Sequence, residues 1–316
     1  MKPELSIVTS AYNEEESLPL FFDRVTAVAE KMNVAYEIIV VNDGSKDGTE
    51  KVIRERAEKD KRVKGVFLSR NFGQQAAYLC AMKLLVGDCA VFLDADLQDP
   101  PELIPEMYAK YKEGYDVVHA VRTKREGETV GKKLSAAAYM GLLRRGSGLN
   151  IPENSSEFKL YDKKVLDAII SMPETTRFLR AQVTWLGFKE AFVYFDRPAR
   201  EKGKTTYNFK KLAKIAMNGI IPYDKKPLAL PLKIGAVLGV GSLAAFITFI
   251  VLTALSISLP LAAWLFPTVG AGVSLILISQ GITGIYLGYA YDEVKRRPVY
   301  VIRETLNFGE DDDKNR

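Results

Sequence analysis

Residues 234–291, a stretch of 58 positions, contain no Asp, Glu, Lys or Arg. Because a helix that crosses a bilayer needs about 20 apolar residues, this stretch has room for two spans. The spans are predicted near Ile234–Leu255 and Thr268–Tyr289, and the connection near Ser256–Pro267 contains Trp264, a residue type common at membrane interfaces. A buried helical hairpin in a soluble protein is the alternative, which the length of the stretch disfavours.

Basic residues flank both ends of this uncharged stretch: Lys225, Lys226 and Lys233 before it, and Lys295, Arg296 and Arg297 after it. The positive-inside rule places such flanks in the cytoplasm. The sequence therefore predicts a multi-pass protein of the inner (plasma) membrane, with its N-terminal domain and its tail both cytoplasmic. Glycines along the predicted spans permit close helix contact and, with it, a homo-oligomer. The net charge of +5 is too small to indicate a nucleic-acid partner.

Four regions are predicted from this pattern. They are an α/β domain at 1–205, an amphipathic juxtamembrane helix and linker at 206–233, two transmembrane helices at 234–291, and a tail at 292–316 with a disordered acidic end. The amphipathic stretch Tyr207–Ile221 leads directly into the first span. This position favours the membrane headgroup region over packing against the α/β domain.

Short apolar runs alternate with amphipathic stretches in the N-terminal region. The runs predicted as strands are Leu5–Thr9, Glu37–Val41, Val63–Leu68, Ala90–Leu93 and Val117–Val121. The stretches predicted as helices are Leu18–Met32, Lys51–Lys59, Gln74–Val86 and Pro101–Tyr111. This alternation is typical of an α/β fold with a doubly wound, mostly parallel sheet, in which ligands bind at the carboxyl ends of the strands.

Two aspartates, Asp94 and Asp96, follow the fourth predicted strand. Residues two apart at a strand end face the same way, so the two carboxylates converge and repel each other. A hard divalent cation, Mg²⁺ or Mn²⁺, relieves that repulsion, and Gln98 can add a third oxygen ligand. Such a cation can stabilise a diphosphate leaving group. The alternative is a chance pair of aspartates in a loop.

Asp43 follows the second predicted strand, in the sequence Asp43-Gly44-Ser45. Its position predicts a carboxylate that accepts a hydrogen bond from the imide of uracil or guanine, although such residues also form ordinary turns and helix caps. Neither GxGxxG after the first strand nor GxxxxGK[ST] is present, which excludes those nucleotide-binding motifs. His119 lies in an apolar run and is interpreted as a buried strand histidine rather than a catalytic base.

Several motifs resemble those of the family 2 (GT-A) glycosyltransferases, and within them the polyprenyl-phosphate glycosyltransferases. The motifs are Val8-Thr9-Ser10-Ala11-Tyr12-Asn13-Glu14, Val41-Asn42-Asp43-Gly44-Ser45, Ser69-Arg70-Asn71-Phe72-Gly73, Asp94 to Pro101, Arg177-Phe178-Leu179-Arg180, Trp185-Leu186-Gly187-Phe188, and Tyr286 to Tyr300. The resemblance implies a membrane-bound, metal-dependent inverting hexosyltransferase with a cytoplasmic GT-A domain. It would move a sugar, with glucose from UDP-glucose favoured, to undecaprenyl phosphate for glycosylation of the cell envelope.

The resemblance also implies site residues. Those for the nucleotide sugar are Thr9, Tyr12, Glu14, Asp43, Arg70, Gly73, Asp94, Gln98 and Arg200. Those for the acceptor phosphate are Arg122, Lys133, Lys159 and Lys204. The catalytic set is Asp96, Glu157 and Arg122, and the metal ligands are Asp94, Asp96 and Gln98.

The chain departs from the family around the sugar and the acceptor. Glu157 and Lys159 stand where the family usually has Asp and Arg, and the basic residue near Gly203 is Lys204, two positions earlier than usual. These changes leave open a different sugar, such as mannose from GDP-mannose or an amino sugar. Two other classes also stay open: an inactive nucleotide- or lipid-binding regulatory membrane protein, and a structural scaffold built on the hairpin.

Overall fold

The computed structural model describes residues 2–123, 155–174, 178–195 and 260–309, together with individual positions between 234 and 255. The chain divides into two compact units. The first unit comprises residues 1–141, 149–207 and 298–316, and the second comprises 142–148 and 208–297. All eight described strands belong to the first unit.

A single sheet of eight strands forms the centre of the first unit. The strands are β1 (Leu5–Ala11), β2 (Tyr36–Asn42), β3 (Val63–Leu68), β4 (Cys89–Phe92), β5 (Val117–Arg122), β6 (Ser155–Asp162), β7 (Glu190–Phe195) and β8 (Ile302–Leu306). Their order is β7-β5-β6-β4-β1-β2-β3-β8. Only β6 and β8 run antiparallel to their neighbours among these strands, so the predicted mostly parallel sheet is confirmed. All five predicted strands are present.

Helices cover both faces of the sheet. They are α1 (Leu18–Lys31), α2 (Thr49–Lys59), α3 (Gln74–Leu84), α4 (Ile104–Lys112, after a 3₁₀ turn at Pro101–Leu103), α5 (Lys163–Ser171) and α6 (Leu179–Leu186). The helices α1, α2 and α4 share one hydrophobic core, and α3, α5 and α6 share the other. Because both faces are covered, the central strands β1 and β2 are buried and apolar along most of their length, as is usual for parallel strands.

The antiparallel strand β6 lies between β4 and β5 and was not predicted from the sequence. Its register pairs Lys159 with Phe92 on one side and His119 on the other. Lys159 is 1% exposed, and burial lowers the pKa of its ammonium to about 8. His119 is buried and stacks on Phe192 at 5.2 Å between ring centroids, which confirms its interpretation as a buried strand histidine.

The edge strand β8 pairs antiparallel with β3. Arg54 on α2 bridges Glu304 of β8 and Glu50 of its own helix, and its guanidinium lies 4.5 Å from the ring centroid of Phe67. The side-chain amide of Asn307 donates to the backbone oxygens of Ala57 (2.7 Å) and Val63 (2.8 Å). These contacts tie the C-terminal strand to α2 and to the amino end of β3.

In the second unit, α7 (Leu261–Lys295) runs for 35 residues, from the N-cap Pro260 to the C-cap Arg296. The predicted C-terminal boundary of the connection Ser256–Pro267 is wrong, because the helix begins at Leu261 and includes Pro267. No helix has, within its described residues, a stretch long and apolar enough to cross a membrane. This finding contradicts the predicted location as a multi-pass protein of the inner (plasma) membrane with a cytoplasmic catalytic domain. Only individual positions of the first predicted span are described.

Replacing Lys159 with Met should stabilise the protein near neutral pH by up to about 3 kcal/mol. The folded state holds this lysine with a pKa of about 8, against 10.5 for an ordinary lysine, so it is penalised for carrying the charge below pH 8. The penalty shrinks between pH 8 and 10.5 and vanishes above that range. Urea denaturation at several pH values measures the change, with Lys59→Met at an exposed position of α2 as control. A gain that stays the same at high pH would contradict this origin.

Candidate active site

The carboxyl ends of β4, β1, β2 and β3 lie along one edge of the sheet, because these strands are parallel neighbours. Hydrogen bonds join the loops that follow β1 and β2. The Asn13 amide N–H donates to Ser45 Oγ (3.0 Å), and the Glu14 amide N–H donates to Thr49 Oγ1 (2.8 Å). The Lys46 amide N–H donates back to Asn13 Oδ1 (2.9 Å). These hydrogen bonds fix the loops after β1 and β2 against each other at this edge.

Asp43 connects the loop after β2 to the loop after β3. Its Oδ1 accepts the Phe72 amide N–H (2.7 Å) and its Oδ2 accepts the Gly73 amide N–H (2.8 Å). Burial raises the pKa of Asp43, and these two hydrogen bonds oppose that rise. Gly44 has φ +69°, and a Cβ there would lie 2.4 Å from the backbone of Arg70, so only glycine allows the loops this approach. The predicted contact of Asp43 with a base stays a prediction.

The other predicted residues of this region differ in exposure. Thr9 is buried within β1, whereas Tyr12 is 44% exposed. Glu14 accepts a hydrogen bond from Ser17 Oγ, and burial, with a contribution from the charge of Asp96, raises the pKa of its carboxyl. The guanidinium of Arg70 lies 4.0 Å from the ring centroid of Phe72.

Asp94 is held by two side chains of α3 that sequence analysis did not single out. Gln74 Nε2 donates to Asp94 Oδ1 (2.6 Å), and the Tyr78 hydroxyl donates to the same oxygen (3.2 Å). Burial, followed by the charges of Asp99 and Asp96, raises the pKa of Asp94 to about 6. The available signal was the position of Gln74, directly after the motif that ends at Gly73.

Asp99 lies beyond the two predicted metal ligands and is fully buried. Arg122, at the end of β5, donates from Nη2 to Asp99 Oδ1 (3.1 Å), and its Nε is buried without a hydrogen-bond partner among the described residues. The guanidinium is thus fixed by one buried carboxylate, and 20% of the Arg122 side chain is exposed. The sequence indicated Arg122 but not its partner.

Glu157, on β6, is 8% exposed and pairs with Arg180 of α6, whose Nε donates to Glu157 Oε1 at 2.8 Å. The charge of Glu157 also contributes to the raised pKa of Asp94, which places the two carboxylates in one electrostatic cluster. Arg180 belongs to the motif Arg177-Phe178-Leu179-Arg180, but the sequence assigned it no role. The burial of Lys159 does not favour its predicted contact with an acceptor phosphate.

Three predicted basic residues lie outside the described part of the chain: Lys133, Arg200 and Lys204. The described members of the predicted set lie on the loops after four parallel strands: Glu14 after β1, Asp43 after β2, Arg70 and Gly73 after β3, and Asp94, Asp96 and Gln98 after β4. Arg122 at the end of β5 pairs with Asp99, and Glu157 on β6 pairs with Arg180.

The donor chemistry beside β4 fits a divalent cation. Asp96 Oδ1 accepts a hydrogen bond from the backbone N–H of Gln98 (3.1 Å). The side-chain oxygen of Gln98, Oε1, is buried and has no hydrogen-bond partner among the described residues. Two carboxylates and an unsatisfied amide oxygen are the ligand types that Mg²⁺ and Mn²⁺ prefer. No group of three or more His, Cys, Asp or Glu side chains within the described residues is arranged to hold a metal ion. A cation here would depend on Asp94, Asp96 and Gln98.

Comparison with known proteins identifies a family. The family model described as "Glycosyl transferase family 2" matches residues 6–170. An uncharacterized glycosyltransferase of Synechocystis sp. is 40% identical over 96% of both chains. A prophage bactoprenol glucosyl transferase homolog of Escherichia coli is 33% identical over 95% of this chain and 98% of its own. The undecaprenyl-phosphate 4-deoxy-4-formamido-L-arabinose transferase of Salmonella paratyphi A is 30% identical over 96% of this chain and 94% of its own.

Solved structures give a more distant likeness. Glucosyl-3-phosphoglycerate synthase from Mycobacterium tuberculosis, in complex with Mn²⁺, UDP-glucose and phosphoglyceric acid, matches with a TM-score of 0.48 at 20% identity. The match covers 69% of this chain and 78% of that one. A likeness at this level does not indicate an activity.

Replacing Asp96 with Asn should abolish Mn²⁺ binding and lower the Mn²⁺-dependent affinity for UDP at least about tenfold, because a neutral amide replaces an anionic ligand. Isothermal titration of the purified full-length protein measures both affinities. Asp23→Asn, a change of the same type on the exposed side of α1, is the control and should leave them unchanged. Unaltered Mn²⁺ affinity in Asp96→Asn would show that the cation, if bound, lies elsewhere.

The affinity for Mn²⁺ should also depend on pH in a defined direction. Asp94 has a raised pKa of about 6, so a proton occupies this carboxylate increasingly below pH 6 and a cation must displace it. Affinity should be nearly constant above pH 7 and fall by up to about tenfold per pH unit well below 6. Titrations between pH 5 and 8 in a buffer that does not bind metal test the slope. A constant affinity across this range would contradict the role of Asp94.

Proposed function

The chain belongs to glycosyl transferase family 2, and on this premise we propose that it transfers a hexose from a UDP-sugar to a polyprenyl phosphate such as undecaprenyl phosphate, with inversion at the anomeric carbon. Glucose is the favoured sugar, because a relative that spans nearly the whole chain is named a bactoprenol glucosyl transferase homolog. The observation that carries the proposal is the group of carboxylates after β4, with two guanidinium groups fixed beside it.

In the proposed reaction an oxygen of the acceptor phosphate forms a bond to the anomeric carbon as the bond from that carbon to the UDP oxygen breaks. UDP leaves with the electron pair, so charge is conserved. A phosphate monoester has a second pKa of about 6 and arrives largely as a dianion. No proton has to be removed from the nucleophile, and a strong general base is not required.

The main barrier is the approach of one anion to another. A divalent cation held by Asp94, Asp96 and Gln98 would supply positive charge to the leaving diphosphate. Arg122 is the cation assigned to the acceptor phosphate, because Asp99 fixes its guanidinium at the end of β5 while part of its side chain stays exposed. Asp43 and the loop after β3 would hold the nucleotide, since hydrogen bonds already join them.

Glu157 positions charged groups in this proposal. Its ion pair with Arg180 fixes the carboxylate near Asp94, where it can orient the sugar or the acceptor. The substitution of Glu for the family's usual Asp lengthens this side chain by one methylene. Such a change bears on sugar and acceptor geometry rather than on the nucleotide.

Incubation of the purified full-length protein with undecaprenyl phosphate in detergent, Mn²⁺ and radiolabelled UDP-glucose tests the proposal directly. An organic-soluble labelled product is expected, and GDP-mannose and UDP-linked amino sugars in parallel determine the sugar. Binding of a nucleotide sugar without turnover of any donor would instead favour the regulatory alternative.

Replacing Glu157 with Gln should lower kcat by about 10- to 100-fold, because a positioning contact is weakened while the nucleophile still arrives ionised. Its dependence on pH should keep the shape seen in the parent. Glu304→Gln, on β8, is the matched control and should retain full activity. A loss beyond about 10⁴-fold, with nucleotide and Mn²⁺ affinities unchanged, would show that Glu157 is an essential general base.

A further inference from the structure

Helix α6 begins at Leu179, and its first backbone N–H is capped by a distant residue of the described chain. The N-cap residue Phe178 makes no side-chain capping hydrogen bond. The first N–H groups of a helix have no partner within the helix, and Leu179 is 1% exposed, so its N–H needs another acceptor. That acceptor is Gln75 Oε1 on α3, at 3.1 Å and 104 positions away in the sequence.

The residue that follows this capped amide is Arg180, which donates to Glu157 at 2.8 Å. The Arg180 side chain is 39% exposed and the Glu157 side chain is 9% exposed. The first turn of α6, which carries Arg180, therefore determines whether the guanidinium reaches the buried carboxylate. An acceptor that fixes the N–H of Leu179 fixes the backbone from which the guanidinium extends.

Three consecutive residues at the start of α3 have three different partners at the candidate site. The Gly73 amide donates to Asp43, Gln74 donates to Asp94, and Gln75 accepts from Leu179. The two adjacent glutamines therefore contact different parts of the candidate site. Gln74 contacts a predicted metal ligand directly, and Gln75 contacts the helix that carries the partner of Glu157.

We propose that Gln75 is a positioning residue of the transfer reaction, which acts on Glu157 through the start of α6 and Arg180. This inference rests on the proposed function. It predicts that Gln75 contributes to the chemical step, whereas its neighbour Gln74 contributes to cation and donor binding.

Kinetics of two matched variants test this division. Gln75→Ala should lower kcat about 5- to 20-fold while the KM for the UDP-sugar and the affinity for Mn²⁺ stay within about twofold. Gln74→Ala should instead weaken Mn²⁺ and raise the donor KM. Gln75→Glu keeps an acceptor oxygen for the Leu179 N–H and should restore kcat to within about twofold of the parent. Equal donor KM defects in both alanine variants, or no rescue by Gln75→Glu, would overturn the proposal.

A double-mutant cycle with Arg180→Ala tests the route. If Gln75 acts through Arg180, Gln75→Ala should have no further effect on kcat once Arg180 is removed. Independent, multiplicative effects would overturn the proposal. Gln75→Leu, which retains side-chain volume in this half-buried position, provides the same comparison if Gln75→Ala does not fold.

Hydrogen exchange separates this inference from the proposed function. Gln75→Ala should speed exchange of the Leu179 amide at least about tenfold, and Gln74→Ala should not, whatever reaction the protein catalyses. Absence of transfer by the parent would refute the proposed function, while faster exchange at Leu179 in Gln75→Ala would still establish that Gln75 fixes the start of α6. Unchanged exchange at Leu179 in Gln75→Ala would refute the positioning role of Gln75.

Discussion

The candidate site depends on how several carboxylates are held close to one another. Asp94, Asp96, Asp99 and Glu157 lie close enough that the charges of the other three raise the pKa of Asp94, although burial is the larger cause. Such a cluster is unfavourable unless each charge gains a partner. Gln74 and Tyr78 donate to Asp94, Arg122 pairs with Asp99, and Arg180 pairs with Glu157. A bound cation would relieve the repulsion that remains.

This cluster of carboxylates depends on the antiparallel strand β6 within the mostly parallel sheet. In a wholly parallel sheet, neighbours of β4 would contribute only their carboxyl ends to this edge. Because β6 runs antiparallel beside β4, its N-terminal half, with Glu157, reaches the carboxyl end of β4. The same register buries Lys159 between β4 and β5. One strand thus supplies a carboxylate for the site and a buried ammonium that costs stability below its lowered pKa.

The start of α3 joins the parts of the site that different loops supply. Gly73, Gln74 and Gln75 contact the loop after β2, the loop after β4 and the start of α6, in that order. A shift of this turn would therefore move the predicted base contact, the metal ligand and the partner of Glu157 together. Packing of α3 in the core shared with α5 and α6 opposes such a shift.

Periodicity and motifs are local patterns, so the alternation of strands and helices, the aspartates after β4 and the family could be predicted from the amino-acid sequence. Which charges meet depends on the fold. Arg122 and Asp99 are 23 positions apart, as are Arg180 and Glu157, and Gln75 and Leu179 are 104 apart. The burial of Lys159 likewise follows from the register of β6, a strand that the sequence did not predict. These pairings depend on strand order and helix packing over long separations, which no local pattern of residues specifies.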